Sequence, residues 1–427
     1  MAEKVYVRAQ YLVETPLDLE KVAGMMAGEQ SSGTFVRVAN ETDDLRDRAA
    51  AVIVSIEERE AFEEPTLHSD YLVRRRAAGP FRRARVTIDY PAGNIGHNLP
   101  TLAATVAGNL YDLGEVTGLK LVSLKMPQVY RARFPEQRLG VAGTRRVLNV
   151  HERPLFGTII KPNVGMSPSQ IAALVRDLCE AGVDFIKDDE VCANPVHAPI
   201  DERITAVMAE IRSYRERTGR DVMMAFNITD ELDAMRRHAE LVEREGGNCV
   251  MASLNWCGLS AMETLRRSTP LAIHGHRNGY GAFGRHPALG FGFDAYQALY
   301  RLAGIDHMHV HGIGGKFADA AGEVDEAARR CLQPLASDGP GDDIVMPVFS
   351  SGQWAGTLSR TFDAAASEDF MFLAGGGILA HPQGPAAGVK SLQLAYEAVS
   401  GGSDLKAFSA GKPELEAAIV FFGGPSK

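Results

Sequence analysis

Residues 184–190 read Asp-Phe-Ile-Lys-Asp-Asp-Glu, a short apolar run that ends abruptly in one amine and three carboxylates. The apolar residues predict a buried strand, whose end normally carries turn residues because desolvating charge there is costly. Side chains alternate along a strand, so Lys187 and Asp189 share one face, and Glu190 reaches the same point once the chain turns. Carboxylates that converge in this way are the ligands that Mg²⁺ prefers.

The lysine in this cluster has two interpretations. An ammonium group at Lys187 would repel a cation, whereas a neutral amine that has reacted with CO2 becomes a carbamate, which is an anionic oxygen ligand. The alternative is a solvated run of charge between a strand and a helix. The spacing alone leaves both interpretations open, since a motif match is only a hypothesis.

The composition is that of an ordinary globular protein, with 427 residues, of which 45% are hydrophobic and 23% charged. A formal charge of −9 argues against nucleic acid and anionic membranes as partners. Five irregularly spaced cysteines without a CxxC pair favour neither a disulfide framework nor a zinc site. We therefore expect the protein to lie in a reducing, cytoplasmic compartment. We also expect neither a signal peptide nor a membrane span, since a span needs a run of ~18 apolar residues.

From residue 154 onward, short apolar strands alternate with amphipathic helices. The predicted strands are 156–161, 184–187, 222–227, 249–255, 271–276, 307–310, 344–349 and 370–374. Eight such strand–helix units over about 270 residues match a (β/α)8 TIM barrel. A doubly wound open sheet is the alternative, but the count of eight and the absence of GxGxxG after the first strand favour the barrel.

The first part of the chain alternates strand and helix patterns without a regular repeat. We predict strands over 5–11, 50–57 and 83–90, helices over 18–27 and 99–109, and a connector over 135–147. The predicted fold is thus α/β, with a small N-terminal α+β (ferredoxin-like) domain over 1–140 and a barrel domain over 141–427.

Polar groups and glycines follow six of the eight predicted barrel strands, where barrel enzymes place their chemistry. Taken singly, each has an ordinary explanation, such as a surface lysine, a buried histidine or a turn. Together they predict an active site with a metal centre and two anion-binding regions. The residues are Lys161, Asn163, Lys187, Asp189, Glu190, His276, Arg277, His309, Lys316, Ser350, Gly352, Gly375 and Gly376. Lys316 lies on a glycine-rich loop that could close over a substrate.

These motifs resemble the RuBisCO large-chain superfamily over nearly the whole chain. The segment 157–162 (GTIIKP) is similar to the family's first-strand motif, which implies that Lys161 is the proton-transferring base. The segment 184–190 resembles its carbamylated-lysine Mg²⁺ site, which implies that carbamylated Lys187, Asp189 and Glu190 are the metal ligands. The segment 274–277 (HGHR) resembles the fifth-strand motif.

The resemblance also implies a role for the other candidates. His276 becomes a second base, and Lys316 the residue of a mobile loop. The residues implied to bind substrate or phosphate are Thr34, Phe35, Asn163, Arg277, His309, Ser350, Gly352, Gly375 and Gly376. Glu29, at the start of the segment 29–35 (EQSSGTF), is similar to the family's residue that reaches a neighbouring subunit's site, and Asn109 to one that contacts metal-bound substrate. The resemblance thus implies a homodimer, or a multiple of one, with shared active sites.

Departures from the family pattern favour a RuBisCO-like protein over a true carboxylase. Asn163 stands where carboxylases carry a second lysine, Tyr280 replaces a histidine, and Phe35 replaces a tryptophan. Asn109 stands where the methionine-salvage enolases of the group carry a lysine.

Three functions stay open at this point. The favoured one is a decarboxylase or transcarboxylase/hydrolase that acts on 3-oxo-isoapionate 4-phosphate through an enediolate beside Mg²⁺. The second is an isomerase or enolase of a methylthioribulose-type sugar phosphate. The third is a non-catalytic ligand-binding relative, against which the full set Lys187, Asp189 and Glu190 argues.

Overall fold

A computed structural model of the chain describes residues 4–33, 38–320, 322–336 and 338–423. The strands are β1 (Tyr6–Thr15), β2 (Val52–Phe62), β3 (Phe81–Pro91), β4 (Gly118–Lys125), β5 (Leu155–Ile159), β6 (Phe185–Lys187), β7 (Met223–Asn227), β8 (Cys249–Ser253), β9 (Ala272–His276), β10 (Leu289–Phe291), β11 (His307–His309), β12 (Met346–Ser350) and β13 (Met371–Leu373).

The helices alternate with these strands. They are α1 (Leu19–Glu29), α2 (Asp43–Ala49), α3 (Asp70–Arg74), α4 (Ala92–Ile95), α5 (Leu99–Ala107), α6 (Gln128–Arg131), α7 (Gly140–Leu148), α8 (Pro168–Ala181), α9 (Ile200–Thr218), α10 (Leu232–Arg244), α11 (Leu254–Ser268), α12 (Tyr280–Gly284), α13 (Phe293–Leu302), α14 (Glu323–Cys331), α15 (Leu358–Ala365), α16 (Gly375–Leu379), α17 (Pro385–Ser400), α18 (Leu405–Phe408) and α19 (Pro413–Phe422). Short 3-10 helices span Asn109–Asp112 and Ala355–Thr357.

The chain folds as two compact units. The first comprises Met1–Glu136, Gly279–Ala303 and Pro334–Asp342, and the second comprises Gln137–Asn278, Gly304–Gln333 and Asp343–Lys427. The first unit is thus built from segments that lie far apart in the sequence. A division of the chain at residue 140 stays a prediction.

The first unit contains a five-stranded sheet in the order β10-β4-β1-β3-β2. Strand β1 pairs antiparallel with both β3 and β4, and β2 pairs antiparallel with β3, whereas the short β10 joins parallel to β4. Alternate residues of β1 are fully buried, so one face of the strand packs inward. The predicted N-terminal α+β fold is confirmed, with β4 and β10 as strands that the sequence patterns did not predict.

The second unit contains a closed barrel of eight parallel strands in the order β11-β12-β13-β5-β6-β7-β8-β9. Each of the eight predicted barrel strands is present, with ends shifted by one or two residues. Nearly all strand residues are buried, as expected for strands that pack against the interior and a layer of helices. The barrel fold is therefore confirmed, and the strand ends where chemistry was predicted lie at one rim.

A buried carboxylate, at the end of the barrel opposite that rim, binds the start of helix α7. Asp306, which directly precedes β11, accepts hydrogen bonds from the backbone N–H groups of Leu139 (2.6 Å) and Gly140 (2.9 Å). Its other oxygen lies 2.9 Å from Nη1 of Arg266, which is also buried. The connector prediction for 135–147 is wrong over this stretch, because a carboxylate distant in sequence holds the start of a helix there.

Within the described ranges, the helices are too short or too polar to cross a lipid bilayer. The five cysteines are all free thiols, in agreement with the predicted lack of a disulfide framework.

The ion pair between Asp306 and Arg266 predicts a strong effect on stability. In D306N the buried guanidinium of Arg266 loses its counter-charge, so we expect the free energy of unfolding to fall by about 3–5 kcal/mol. Urea denaturation followed by tryptophan fluorescence measures the change. The control is D177N, whose carboxylate is 65% exposed and 3.5 Å from Arg176, and which should change stability by less than about 0.5 kcal/mol. Equal unfolding curves for the two variants would contradict the assigned role of Asp306.

Candidate active site at the barrel mouth

The amine of Lys187 lies inside the barrel at the end of β6. Its side chain is only 2% exposed, and its Nζ donates a hydrogen bond to the carbonyl oxygen of Asp188 at 2.9 Å. Oε2 of Glu190 lies 3.9 Å from this amine. Burial lowers the pKa of Lys187, although the carboxylates of Glu190 and Asp189 act in the opposite direction. The net shift moves Lys187 toward the neutral amine, which is the form that adds CO2.

Lys161 joins the ends of the first two barrel strands. Its Nζ donates hydrogen bonds to Oδ2 of Asp189 at 2.7 Å and to Oδ1 of Asn163 at 2.6 Å. Asp189 is buried, whereas the Lys161 side chain is 42% exposed at the mouth. The two predicted site residues and Asn163 are therefore brought together, and the lysine amine is held at a fixed position.

His276 stands on the other side of the same cluster, at the end of β9. Its Nε2 lies 3.7 Å from Oε2 of Glu190, and its ring centroid is 4.4 Å from that of His309. Burial lowers the pKa of His276 well below its usual range, and the nearby guanidinium of Arg277 adds to the effect. The imidazole is therefore neutral and able to accept a proton.

Residues 312–320, here the Lys316 loop, are tied to the barrel through Asp319. The Asp319 carboxylate accepts a hydrogen bond from Nδ1 of His311 at 2.8 Å and lies 3.6 Å from Nη2 of Arg277. The Lys316 Nζ lies over the ring of Phe317, 5.5 Å from its centroid. A carboxylate of the loop thus sits beside the arginine that we predicted to bind an anion.

The glycines that follow β11, β12 and β13 allow backbone arrangements that a larger residue would prevent. A Cβ added to Gly312 would lie 2.0 Å from the side-chain amide of Gln353, so only glycine lets the loops after β11 and β12 pack this closely. Gly375 and Gly376 open α16, and a Cβ on Gly376 would meet nothing within 4 Å. Gly352 has a φ of 68°, in the left-handed region that favours glycine.

Four further predicted site residues belong to the N-terminal part of the chain. In the first unit, Asn109 donates a hydrogen bond from Nδ2 to Oε1 of Glu29 at 3.1 Å. Glu29 ends α1 and lines a cleft of about 360 Å³. Thr34 and Phe35 lie outside the residues that the structure describes.

Arg203 and Asn227, two buried residues that we did not predict, hold the acidic segment 187–190 in place. Asp188 faces away from Lys161 and pairs with Arg203 at 3.3 Å, and it accepts a 2.9 Å hydrogen bond from the backbone N–H of Asn227. The side-chain amide of Asn227 donates to the carbonyl oxygens of Asp189 (3.0 Å) and Glu190 (3.2 Å). Asn227 ends the third barrel strand, so the strand-end rule could have found it, whereas Arg203 lies within a helix and has no local signal.

The donor set at this mouth fits a hard divalent cation under one condition. Among the described residues, no three histidine, cysteine, aspartate or glutamate side chains are grouped to hold a metal ion. Asp189 and Glu190 supply two carboxylates, and a carbamate on the buried amine of Lys187 would supply a third anionic oxygen ligand. The residues present therefore fit Mg²⁺ together with CO2, and not Mg²⁺ alone.

Comparison with protein families agrees with this arrangement. Residues 9–130 match the ribulose bisphosphate carboxylase large chain, N-terminal domain, and residues 140–422 match the catalytic domain of the same chain. The chain belongs to the RuBisCO large-chain family. The predicted resemblance is thus confirmed over both domains.

Several RuBisCO-like relatives are similar over nearly the full length. The crystal structure of a rubisco-like protein from Burkholderia fungorum is 61% identical, with a TM-score of 0.92 over 97% of this chain and 99% of that chain. A 3-oxo-isoapionate-4-phosphate transcarboxylase/hydrolase from Xanthobacter autotrophicus is 42% identical over 99% of this chain and 100% of the relative. A 3-oxo-isoapionate-4-phosphate decarboxylase from Rhizobium rhizogenes is 38% identical over 96% of this chain and 97% of the relative.

The two adjacent aspartates of this RuBisCO-like site should respond differently to removal of charge. D188N leaves the fully buried Arg203 without its counter-charge, so we expect a loss of about 3–5 kcal/mol in the free energy of unfolding. D189N leaves only Lys161 unpaired, and because that side chain is half exposed, the loss should stay below about 1 kcal/mol. Chemical denaturation of both variants measures the difference. A larger loss in D189N than in D188N would contradict the view that Asp188 anchors the segment and that Asp189 is available to a ligand.

Proposed function

We propose that this RuBisCO-like chain is a Mg²⁺-dependent carbon–carbon lyase that acts on 3-oxo-isoapionate 4-phosphate, a phosphorylated keto sugar acid, as a decarboxylase or a transcarboxylase/hydrolase. The observation that carries the proposal is that Lys161 contacts both Asp189 and Asn163 at the barrel mouth, beside the buried amine of Lys187. Full-length similarity to relatives with those two activities supports the choice of substrate.

The chemistry of a 3-oxo acid suits this set of residues. When the bond to the carboxyl carbon breaks, CO2 leaves and the electron pair passes to the carbon beside the ketone, which gives an enediolate. Proton abstraction from the corresponding sugar would give the same species, so decarboxylation needs less help from a base. Bound Mg²⁺, held by carbamylated Lys187, Asp189 and Glu190, would act as a Lewis acid that stabilises negative charge on adjacent oxygens.

Lys161 is the residue that we assign to proton delivery. Two acceptors, Asp189 and Asn163, hold its amine at the mouth. In this role it donates a proton to the carbon that has lost CO2, as a general acid. His276 is the second group able to carry a proton, since burial keeps its imidazole neutral and it lies near Glu190.

The remaining predicted residues would hold the anionic ends of the substrate. Arg277 is buried and supplies a fixed cation, and the backbone at Gly375 and Gly376 supplies N–H groups. Asp319 occupies the neighbourhood of Arg277, so an anionic group bound there would displace this carboxylate. Release of Asp319 would free the Lys316 loop to close over the site and exclude water.

The assembly and the compartment remain part of the proposal. We propose a homodimer, or a multiple of one, because the family resemblance assigns the segment that contains Glu29 to a neighbouring subunit's active site. Thr34 and Phe35, which continue that segment, would bind the substrate phosphate together with the backbone at Ser350 and Gly352, and His309 would contact the same substrate. We further propose a cytoplasmic location, on the basis of the five free cysteines.

Loss of the Lys187 amine should abolish turnover. With 3-oxo-isoapionate 4-phosphate, Mg²⁺ and bicarbonate, the purified chain should release CO2, and K187M should lower kcat/KM at least about 100-fold, since even outer-shell partners of a metal are worth 10–100-fold. The control is K390M, at an exposed lysine, which should retain wild-type activity. No CO2 release by the wild type would retire the proposal. Solvent deuterium incorporation without loss of carbon would favour the isomerase or enolase instead.

The carbamate itself should be visible without a substrate. In ¹³C-bicarbonate and Mg²⁺, the wild-type chain should show a protein carbamate resonance at neutral pH that is absent from K187M. The signal should grow as the pH rises through the lowered pKa of Lys187, because only the neutral amine adds CO2. An unchanged carbamate spectrum in K187M would place the modification elsewhere.

A further inference from the structure

A continuous row of buried hydrogen bonds crosses the barrel from helix α7 to the mouth. Thr144 Oγ1 lies 2.8 Å from Nε2 of His307, and Nδ1 of His307 lies 3.3 Å from Nδ1 of His274. Nε2 of His274 lies 2.7 Å from Nε2 of His309, and Nδ1 of His309 lies 3.0 Å from Oγ of Ser350. All five side chains are buried, and Ser350, at the end of β12, is the most exposed of them at 9%. We call these five residues the histidine row.

The direction of the row is fixed at its Thr144 end. A threonine hydroxyl carries one hydrogen, and Thr144 donates it to the carbonyl oxygen of Gly140 at 2.6 Å, which can only accept. Nε2 of His307 must therefore be the donor to Thr144. A neutral imidazole has a single N–H, so Nδ1 of His307 accepts from Nδ1–H of His274.

The same rule passes along the rest of the row. His274 has used its hydrogen on His307, so its Nε2 accepts from Nε2–H of His309. Nδ1 of His309 is then an acceptor, and the donor that faces it among the described residues is the hydroxyl of Ser350. Each ring can donate once and accept once, so a change at either side of one ring would have to change all three.

All three rings are neutral in this environment. Burial lowers the pKa of His307 to about 4, and it lowers the pKa values of His274 and His309 well below their usual range. Repulsion from a second charge on a neighbouring histidine acts in the same direction on His274 and His309. A charged ring in the row would also place two N–H groups against each other.

We propose that Thr144 is a positioning residue that acts through His307 and His274 to select the Nε2–H tautomer of His309, and thereby commits the hydroxyl hydrogen of Ser350 to His309. This inference goes beyond the proposed function, since it rests on the barrel alone and requires no substrate. Its consequence at the mouth is that Ser350 keeps acceptor capacity for a ligand. With the row reversed, Nδ1–H of His309 would donate to Ser350 and the serine hydrogen would be free for an anion.

Nitrogen NMR tests the row directly in the full-length chain labelled with ¹⁵N in its histidine rings, because protonated and unprotonated ring nitrogens resonate far apart. Resonances are assigned with H309Q and H307Q. We expect the wild type to show Nε2–H at His309 and His307 and Nδ1–H at His274. In T144V the donor at His307 loses its buried acceptor, so the population of the opposite tautomers should rise at least about tenfold. T144S keeps the hydroxyl and should restore the wild-type spectrum.

The S350A variant tests which end of the row sets its direction. Because we assign that role to Thr144, the histidine tautomers of S350A should match those of the wild type. Nδ1–H at His309 in the wild type would overturn the proposal, as would a T144V spectrum identical to the wild type or a tautomer switch in S350A alone. If T144V fails to fold, the wild-type and S350A spectra still decide the question. Because the readout needs no turnover, the proposal can fail while the assigned activity holds, and the reverse.

Discussion

A single amine held out of water at the end of β6 is the constraint on which the rest of the site depends. Burying an ammonium group is costly, and at Lys187 this cost lowers the pKa and so shifts the amine toward its neutral form. Only the neutral amine adds CO2, and the carbamate that we propose would complete a set of three anionic oxygen ligands with Asp189 and Glu190. The burial of one side chain thus links the packing of the barrel to the chemistry at its mouth.

The barrel separates stability from chemistry along the same strands. At the closed end, Asp306 satisfies backbone N–H groups and the buried Arg266, and Asp184 is likewise paired with Arg153 and accepts from the backbone of β5. At the mouth, Lys161 and Glu190 face partners that a ligand can replace. Asp188 lies between the two roles, since it belongs to the acidic segment but pairs with Arg203 of helix α9.

The sequence predicted those parts of the molecule that repeat locally. The eight barrel strands follow from apolar runs at regular spacing, and Lys161, Lys187 and His276 follow from the rule that chemistry lies at strand ends. Helix α7 was missed because its start depends on Asp306, more than 160 residues away. Strand β10 reads Leu-Gly-Phe, with a glycine at its centre, and it pairs with β4, which lies about 170 residues earlier, so no local apolar run marks it. Arg203, Asp319 and Thr144 gain their meaning from contacts across the fold, and no local spacing identifies them.

The central claim is that Lys187, once carbamylated, holds Mg²⁺ together with Asp189 and Glu190. A crystal structure determined with Mg²⁺ and bicarbonate present tests it most directly. The account predicts additional density on Nζ of Lys187 that joins a cation also bound by the two carboxylates. An unmodified Nζ, with the cation absent or bound to other residues, would contradict it.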